Sequence, residues 1–455
     1  MSKTMNAGPR HGAATVPSGR GFRRKQALKA IGGLASVILL TYIAWLRLPE
    51  VTRGTLWAED GAVFLQDTVA IGPWASIGEP YAGYLHTIPR LISGIAYLVA
   101  PLSSYAIMMS FLSCAAVAAV AVGVYHLSAA LVDNRAIRLM LGMIPVLLPV
   151  GPLEVLGNAA NLHWYLLWLV PWLLIYEPSR WYGKGGLFVM TFAAATTEII
   201  SGLFIPLALW TAFRRRNYWA PVGLLAGMVC QFVATAAKPR YGSPPEVDQA
   251  DPLSVFYGFG LQAVASLWET DKRSMASTIV NYGAFPVLIP AAVIAGLLIY
   301  VLVVGSTKWR FVAAYSFGAA ALCWTAAVVL NVSAELDFAG FTEEDWLEQF
   351  TYFRYAAAPS MFLLILVPAA VAVAAERAGS TKARTFLWAP AVLLVFLSVN
   401  YFPALPGRET GPEWEKFLAV AHEECVLNGG VGVIGVALAP APWQATLPCS
   451  VVLNR

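Results

Sequence analysis

The chain has 455 residues, of which 58% are hydrophobic and only 12% charged, and its mean hydropathy is +0.64. Soluble domains usually carry about 25% charged residues, so this composition excludes an ordinary soluble protein. The net charge of +4 is a small difference between 30 basic and 26 acidic residues spread thinly along the chain, which argues against a nucleic-acid partner.

The apolar residues gather in runs of about 13 to 27, the pattern of repeated membrane spans. The first run follows a basic segment containing Arg20, Arg23, Arg24, Lys25 and Lys29. That order is also the order of a secretory signal, but the run ends in Arg47, Leu48, Pro49 and Glu50, with no small-x-small cleavage site. It reads as a retained signal anchor with its N-terminus in the cytoplasm. Residues 1–29 form a basic cytoplasmic tail on this reading. Spans are expected at about 30–47, 104–131, 137–152, 162–177, 186–198, 200–213, 218–236, 284–304, 311–330, 356–375 and 386–402, about eleven helices in all.

The expected fold is therefore an all-α polytopic membrane protein with a transmembrane core over 30–402. With the tail inside, the charges segregate. Arg135, Arg138, Arg180, Lys184, Arg214, Arg215, Arg216, Lys308, Arg310, Arg377, Lys382 and Arg384 fall on the cytoplasmic side, whereas of the acidic residues only Asp133, Glu177 and Glu376 do. This is the positive-inside pattern. It requires two short helices at 186–213 that turn near Thr197 and Glu198, each too short to cross a ~30 Å core unless neighbouring protein shields the turn. The long segments, at 48–103, 237–283, 331–355 and 403–455, all lie outside. Chemistry is expected on that face, in the plasma membrane, with the C-terminus extracytoplasmic.

The last segment, 403–455, reads as a small α/β cap. Trp414, Phe417, Leu418 and Ala421 recur at helical spacing, and the stretch from Val431 to Leu438 is strand-like. Cys425 and Cys449 could staple it. Closing a loop of about 25 residues contributes roughly 3 kcal/mol in an oxidising compartment; two unpaired buried thiols are the other reading.

No Walker loop, HExxH, CxxC or GxSxG string occurs, so an activated substrate has to come from elsewhere, and a lipid-linked donor in the membrane meets that need. The string WAEDGAVF places Glu59 and Asp60 side by side after the first span, flanked by Trp57, Gly61 and Phe64. Adjacent side chains diverge, so one can face a cavity while the other holds the loop. A carboxylate there can take the proton of an acceptor hydroxyl, an effect worth about 10²- to 10⁴-fold; a solvated acidic loop beside an interfacial Trp is the plainer alternative.

In PYAGYLHTIPRLISGIAYLV, Tyr81, Tyr84, His86 and Arg90 enter an interfacial helix. Arg90 is expected to neutralise a lipid phosphate with His86 assisting, or else to snorkel to headgroups. The turn GPLEVLGNAANLHWYLLW brings Glu154, Asn158, Asn161, His163, Trp164 and Tyr165 to one boundary, suited to sugar recognition or equally to an aromatic belt. Glu198, at the expected hairpin turn, joins the sugar or acceptor candidates Trp57, Tyr84, Asn158, Asn161 and His163. Lys238, Arg240 and Tyr241, with Tyr352, Arg354 and Tyr355, are basic and aromatic exceptions on the acidic side. They suit phosphate binding or topological anchoring. Glu343, Glu344 and Asp345 read as a solvated helix face.

These strings, WAEDG and PYAGYLHTIPR, together with the order of parts, resemble the GT-C superfamily of integral-membrane glycosyltransferases, and in particular bacterial, notably actinobacterial, multispanning proteins of this kind. The resemblance spans the whole chain and is mainly architectural. It implies a polyprenyl-phosphate sugar donor, an envelope glycan or glycolipid acceptor, and a general base at Asp60 or Glu59. Asp60 is favoured because Gly61 would let a substrate approach closely. No metal is required, although a divalent ion shared by Glu59 and Asp60 stays open. The alternatives are a transporter or flippase for a lipid-linked saccharide and a noncatalytic envelope-assembly protein.

Overall fold

A computed structural model describes residues 19–215, 217–240, 249–383, 389–402 and 407–455. Most of the expected basic tail, together with Arg216, Tyr241 and Arg384, lies outside the described residues.

Every expected apolar run forms a helix: Gly19–Leu46, Tyr105–Leu127, Arg135–Leu147, Leu162–Ile175, Trp181–Ala195, Ile205–Arg215, Trp219–Ala237, Phe285–Val304, Thr307–Leu330, Ala357–Leu364 continuing through Leu366–Ala383, and Ala389–Val399. Among the described residues five segments are long and apolar enough to cross a membrane: Leu102–Ala130, Trp219–Ala237, Phe285–Val304, Thr307–Leu330 and Arg354–Ala378. The first helix begins at Gly19, so the basic segment before residue 30 is helical and not a loose tail.

The helices are layered by burial. In Arg354–Ala378 the most apolar window is 89% buried, whereas in Phe285–Val304 it is only 17% buried. Leu162–Ile175 is apolar on all sides and almost wholly buried, as a helix at the centre of a bundle must be. The first helix is peripheral, with Leu28, Ile31, Leu34, Ile38 and Leu39 exposed. Such apolar surface is stable only against lipid.

Close approach of Trp181–Ala195 and Trp219–Ala237 depends on Gly223 and Gly227, a small-xxx-small pair. A Cβ at Gly223 would lie 2.6 Å from the Phe188 carbonyl oxygen, and one at Gly227 would lie 2.5 Å from the Ala195 Cβ. Arg47 ties other helix ends together. Fully buried, it donates to the carbonyls of Val146 (2.6 Å), Leu148 (2.9 Å), Tyr401 (3.1 Å) and Asn400 (3.3 Å), a cation collecting carbonyls from the C-terminal ends of two helices.

The break expected near Thr197 is present, and it is buried. Trp181–Ala195 ends at Thr196, Glu198 caps the Ile199–Phe204 turn by accepting the Ile200 N–H (2.7 Å), and Ile205–Arg215 follows. Thr196, Thr197 and Glu198 are 2%, 0% and 2% exposed, so protein shields the turn. The helix Thr87–Val99 starts against it: the Ile88 N–H donates to Thr197 Oγ1 (3.1 Å) and the Thr87 N–H to the Thr196 carbonyl (3.3 Å). These bonds satisfy donors that a helix N-terminus otherwise leaves unpaired.

The segment at 237–283 is more than a loop. Pro252–Gly258 runs into a π-helical turn, Phe259–Val264, whose Leu261, Gln262, Ala263 and Val264 are buried. Its apolar run is short, and it enters the core because Gln262 finds backbone partners there, accepting from the Phe353 N–H (2.9 Å) and donating to the Thr351 carbonyl (2.8 Å). Glu343, Glu344 and Asp345 begin the helix Glu343–Glu348, with Thr342 and Asp345 forming a capping box where negative charge suits the helix N-terminus.

At the C-terminus the helix Trp414–Leu427 buries Trp414, Leu418, Ala421 and Cys425, while Phe417 is exposed. Strand β1 (Val433–Ala437) pairs antiparallel with β2 (Gln444–Pro448), Ile434 opposite Leu447 and Val436 opposite Ala445. The expected strand reached back to Val431; it begins later because the chain turns at Gly429, Gly430 and Gly432, all at positive φ. Cys425 and Cys449 are disulfide-bonded across a separation of 24 residues.

Gly227→Leu forces two helices apart, at a cost of about 1–3 kcal/mol for overpacking, and is expected to lower the melting temperature of the detergent-purified protein. Gly296→Leu, which meets nothing within 4 Å, is the matched control and is expected to change it little; equal loss in both would remove the close contact as the cause.

Candidate functional site

The acidic string lies on Asp60–Leu65, a π-helical turn, a rare local form often found at functional sites. Its two carboxylates point to different places. Asp60 is 1% exposed and accepts the N–H of Ala159 on Oδ2 (2.9 Å) and of Ala160 on Oδ1 (2.8 Å). Burial, the largest influence, pushes its carboxyl up from 3.8 to about 7 against the lowering pull of those two N–H bonds. Asp60 is a clamp on the 157–161 loop, with one N–H bond on each oxygen.

Glu59 faces the other way and lines a cavity of about 410 Å³, a size that suits small-molecule or glycan binding. Among the described residues its buried Oε2 has no hydrogen-bond partner. The two carboxylates therefore do not converge on one point, and among the described residues no group of three His, Cys, Asp or Glu is placed to hold a metal ion. Of the pair it is Glu59, and not the favoured Asp60, that lines the cavity, and Gly61 serves a different purpose from the one expected: a Cβ there would lie 2.7 Å from Leu438 Cδ1 and 2.9 Å from Leu56 Cδ2. Its missing side chain admits a leucine of the C-terminal unit instead of a substrate.

The loop that Asp60 holds turns at Gly157, where φ is +79° and a Cβ would lie 2.3 Å from Leu48 Cδ1, so only glycine fits. Arg408, 3% exposed, gathers the carbonyls of Thr55 (3.1 Å), Leu156 (2.8 Å) and Gly157 (3.0 Å). Burial draws its guanidinium down to about 10, still cationic at neutral pH. Asn158 closes the turn internally, its Oδ1 accepting the Asn161 N–H (2.9 Å) and its Nδ2 donating to the Glu154 carbonyl (2.5 Å). It does not line the cavity, so its part is structural; Asn161 does line it.

Next along the chain, His163 lines the cavity with its Nδ1 bonded to Glu198, whose other oxygen is held by the Ile200 N–H. This leaves Nε2 as the ring's unengaged nitrogen, oriented by a carboxylate on the far side.

The opposite wall comes from 81–86. Gln231, buried in Trp219–Ala237, accepts the Leu85 N–H (2.8 Å) and donates to the Ala195 carbonyl (3.0 Å), while Thr235 donates to the Gly83 carbonyl (2.6 Å). These bonds fix Tyr81, Tyr84 and His86 along the cavity. His86 packs 4.0 Å from the Tyr84 ring, and its Nδ1–H donates to the Tyr84 carbonyl at 3.2 Å. Burial first, then the charges of His163 and Arg90, hold its pKa well below the ordinary 6.5. His86 is thereby held toward its neutral form where it lines the cavity. Burial first, and the charge of Glu59 second, push the Tyr81 hydroxyl up, so it stays a neutral donor.

Two cations complete the cavity. Arg354 donates its Nη1–H to Glu154 Oε1 (2.7 Å) and its backbone N–H to Oε2 (2.7 Å). Arg240 donates to the Leu330 carbonyl (2.8 Å) and to Asn331 Oδ1 (3.2 Å). Both line the cavity.

Three other expected site residues do not line it. Arg90 is 1% exposed, its Nη1 bonded to Asp67 at 2.7 Å and its guanidinium over the Phe64 ring, while its buried Nε and Nη2 have no hydrogen-bond partner among the described residues. Lys238 pairs with Glu79 at the exposed rim. Trp57 is buried with Ala58, Phe64 and Ala160. Conversely, the sequence reading left out Thr235, Asn331 and Trp443, all in the cavity wall, and Gln231, Gln262 and Arg408, which position it. A lone amide inside an apolar run was the available signal for Gln231 and Gln262; Trp443 had none.

No family model matches the chain, and no curated protein and no solved structure matches it.

Asp60→Ala leaves two buried N–H groups unpaired, about 1–3 kcal/mol each. At pH 5 it is expected to lower the melting temperature clearly, whereas Glu59→Gln should leave it nearly unchanged. The native state keeps the Asp60 proton up to about 7, while the unfolded chain releases it near 4. This group's contribution to stability is therefore greatest below about pH 4, falls as pH rises, and levels off above about 7. The Ala variant should lack that component of the pH slope in a melting series; an identical slope in both proteins would contradict the assignment.

Proposed function

We propose that the chain is an inverting membrane glycosyltransferase that moves a sugar from a polyprenyl-phosphate donor to an envelope glycan or glycolipid acceptor. The observation that carries this reading is Glu59, whose buried Oε2 has no hydrogen-bond partner among the described residues, in the wall of a cavity also lined by Arg240 and Arg354. A carboxylate and cations in one cavity, Arg354 paired with Glu154 and Arg240 bonded only to neutral oxygens, are what single displacement at an anomeric carbon requires of a protein.

In the proposed reaction Glu59 accepts the proton of an acceptor hydroxyl as its oxygen bonds to the anomeric carbon. The bond from that carbon to the phosphate oxygen breaks, and polyprenyl phosphate departs with the electron pair. One displacement inverts the anomeric centre. Arg240 and Arg354 stabilise the charge that grows on the phosphate, and His163, held by Glu198, offers Nε2 to the same oxygens or to the sugar. Tyr81, Tyr84 and Asn161 supply hydroxyl and amide contacts. Resemblance to the GT-C superfamily supports the same assignment of an acid in the first long loop.

The topology belongs to this proposal: about eleven spans, the N-terminus cytoplasmic, and the cavity and C-terminal unit facing outward from the plasma membrane. Charge bias supports it, since all the segments that meet at the cavity come from one predicted side. The disulfide supports it as well, because such bonds persist in oxidising compartments.

The test is incubation of the purified protein with a panel of polyprenyl-phosphate sugars and glycan acceptors, reading released polyprenyl phosphate. The wild type is expected to release it, and Glu59→Gln to lose about 10²- to 10⁴-fold in kcat while still binding donor. Movement of an intact lipid-linked saccharide across vesicles without release would instead establish a transporter.

A further inference from the structure

The C-terminal unit reaches into the cavity at one point. Its backbone is laid against the Glu59 turn: the Ala58 N–H donates to the Ala439 carbonyl (2.7 Å) and the Ala439 N–H to the Leu56 carbonyl (3.1 Å). Leu438 fills the space that Gly61 leaves open. The chain then reverses, with the Trp443 N–H donating to the Pro440 carbonyl (3.1 Å) and the Leu438 N–H to the Trp443 carbonyl (2.9 Å). Trp443, at the end of that turn, packs against the cluster of Trp57, Ala58, Phe64 and Ala160 and also lines the cavity beside Glu59.

We propose that the C-terminal unit completes an acceptor subsite, in which Trp443 is the platform on which a sugar ring of the acceptor stacks while Glu59 takes its hydroxyl. This deepens the glycosyltransferase reading and rests on it. A sugar ring presents C–H groups on its face and hydroxyls at its edge, so an indole beside a carboxylate matches both at once. The placement also separates the two substrates. The base must touch the acceptor, and the turn that carries Trp443 is tied through Ala439 to Ala58, the residue next to that base. The cations that suit the donor phosphate, Arg240 and Arg354, come from other segments. The platform is held from below by the disulfide between Cys425 and Cys449, which joins the helix Trp414–Leu427 to the end of β2, and by Trp414, whose indole N–H donates to the Leu102 carbonyl at 2.7 Å.

The experiment is saturation-transfer NMR on the full-length protein in detergent with methyl α-D-mannopyranoside, methyl β-D-galactopyranoside and methyl α-D-arabinofuranoside as probes, alongside acceptor kinetics. At least one glycoside is expected to bind the wild type through its ring C–H protons. Trp443→Leu should weaken that binding at least tenfold and raise the acceptor KM by a similar factor with a much smaller change in kcat. Trp443→Phe, which keeps an aromatic face, should stay within about threefold of wild type, and this rescue separates stacking from damage to the fold. Absence of binding by all three glycosides, or equal binding by wild type and Trp443→Leu, overturns the subsite. Glycoside binding that depends on Trp443, without any release of polyprenyl phosphate by the wild type, leaves the subsite standing and removes the transferase reading. Release with an acceptor KM unchanged in Trp443→Leu removes the subsite alone.

Discussion

The site depends on one buried carboxylate that is not among the residues lining the cavity. Asp60 accepts two backbone N–H groups of the Ala159–Ala160 turn, and this single grip sets three things at once. It holds the loop that starts the central helix Leu162–Ile175, so His163 arrives at the cavity. It fixes the π-helical turn Asp60–Leu65 in place, which directs the neighbouring Glu59 to the open side. It also sets a carboxyl within electrostatic reach of Arg408, whose three carbonyl contacts tie the same loop to the chain ahead of the acidic string. Burying such a group is expensive in isolation. It is tolerated here because both oxygens find donors and a buried cation lies within electrostatic reach.

The same logic recurs around the cavity, where interior polar side chains serve mainly to position backbone. Arg47 collects carbonyls at the ends of two helices, Gln231 brackets Leu85, and Gln262 brackets the chain just before Arg354. A span that breaks in the membrane region exposes unpaired peptide groups, and those must be met by protein. At Thr196–Glu198 they are met by the helix Thr87–Val99 on one side and by the Glu198 carboxylate on the other. The break thereby supplies both a structural joint and the partner of His163.

Much of this was legible in the sequence because apolar runs isolate the few charges. A glutamate at a turn between two short helices, arginines at 240 and 354 on an otherwise acidic side, and a histidine at the start of an aromatic span all stood out, and all line the cavity. Divergence of Glu59 and Asp60 was also readable, but not which one faces inward, since that is decided by an N–H pair about a hundred residues away. The favoured choice of Asp60 leaned on Gly61, whose real neighbour is Leu438 in the distant C-terminal unit. Arg90 and Lys238 looked like phosphate ligands because their partners, Asp67 and Glu79, are paired only by the fold. Trp443 left no local trace, since its place in the wall follows from the bonds of Ala439 to Leu56 and Ala58.

The central claim is that Glu59 sits in an open cavity on the extracytoplasmic face. Thiol labelling in intact cells tests it most directly, using single-cysteine positions on a background in which Cys230 is replaced. A membrane-impermeant maleimide is expected to label Glu59→Cys in intact cells and to label Lys308→Cys only after permeabilisation. Labelling of Lys308→Cys in intact cells, with Glu59→Cys protected until the membrane is opened, would contradict the account.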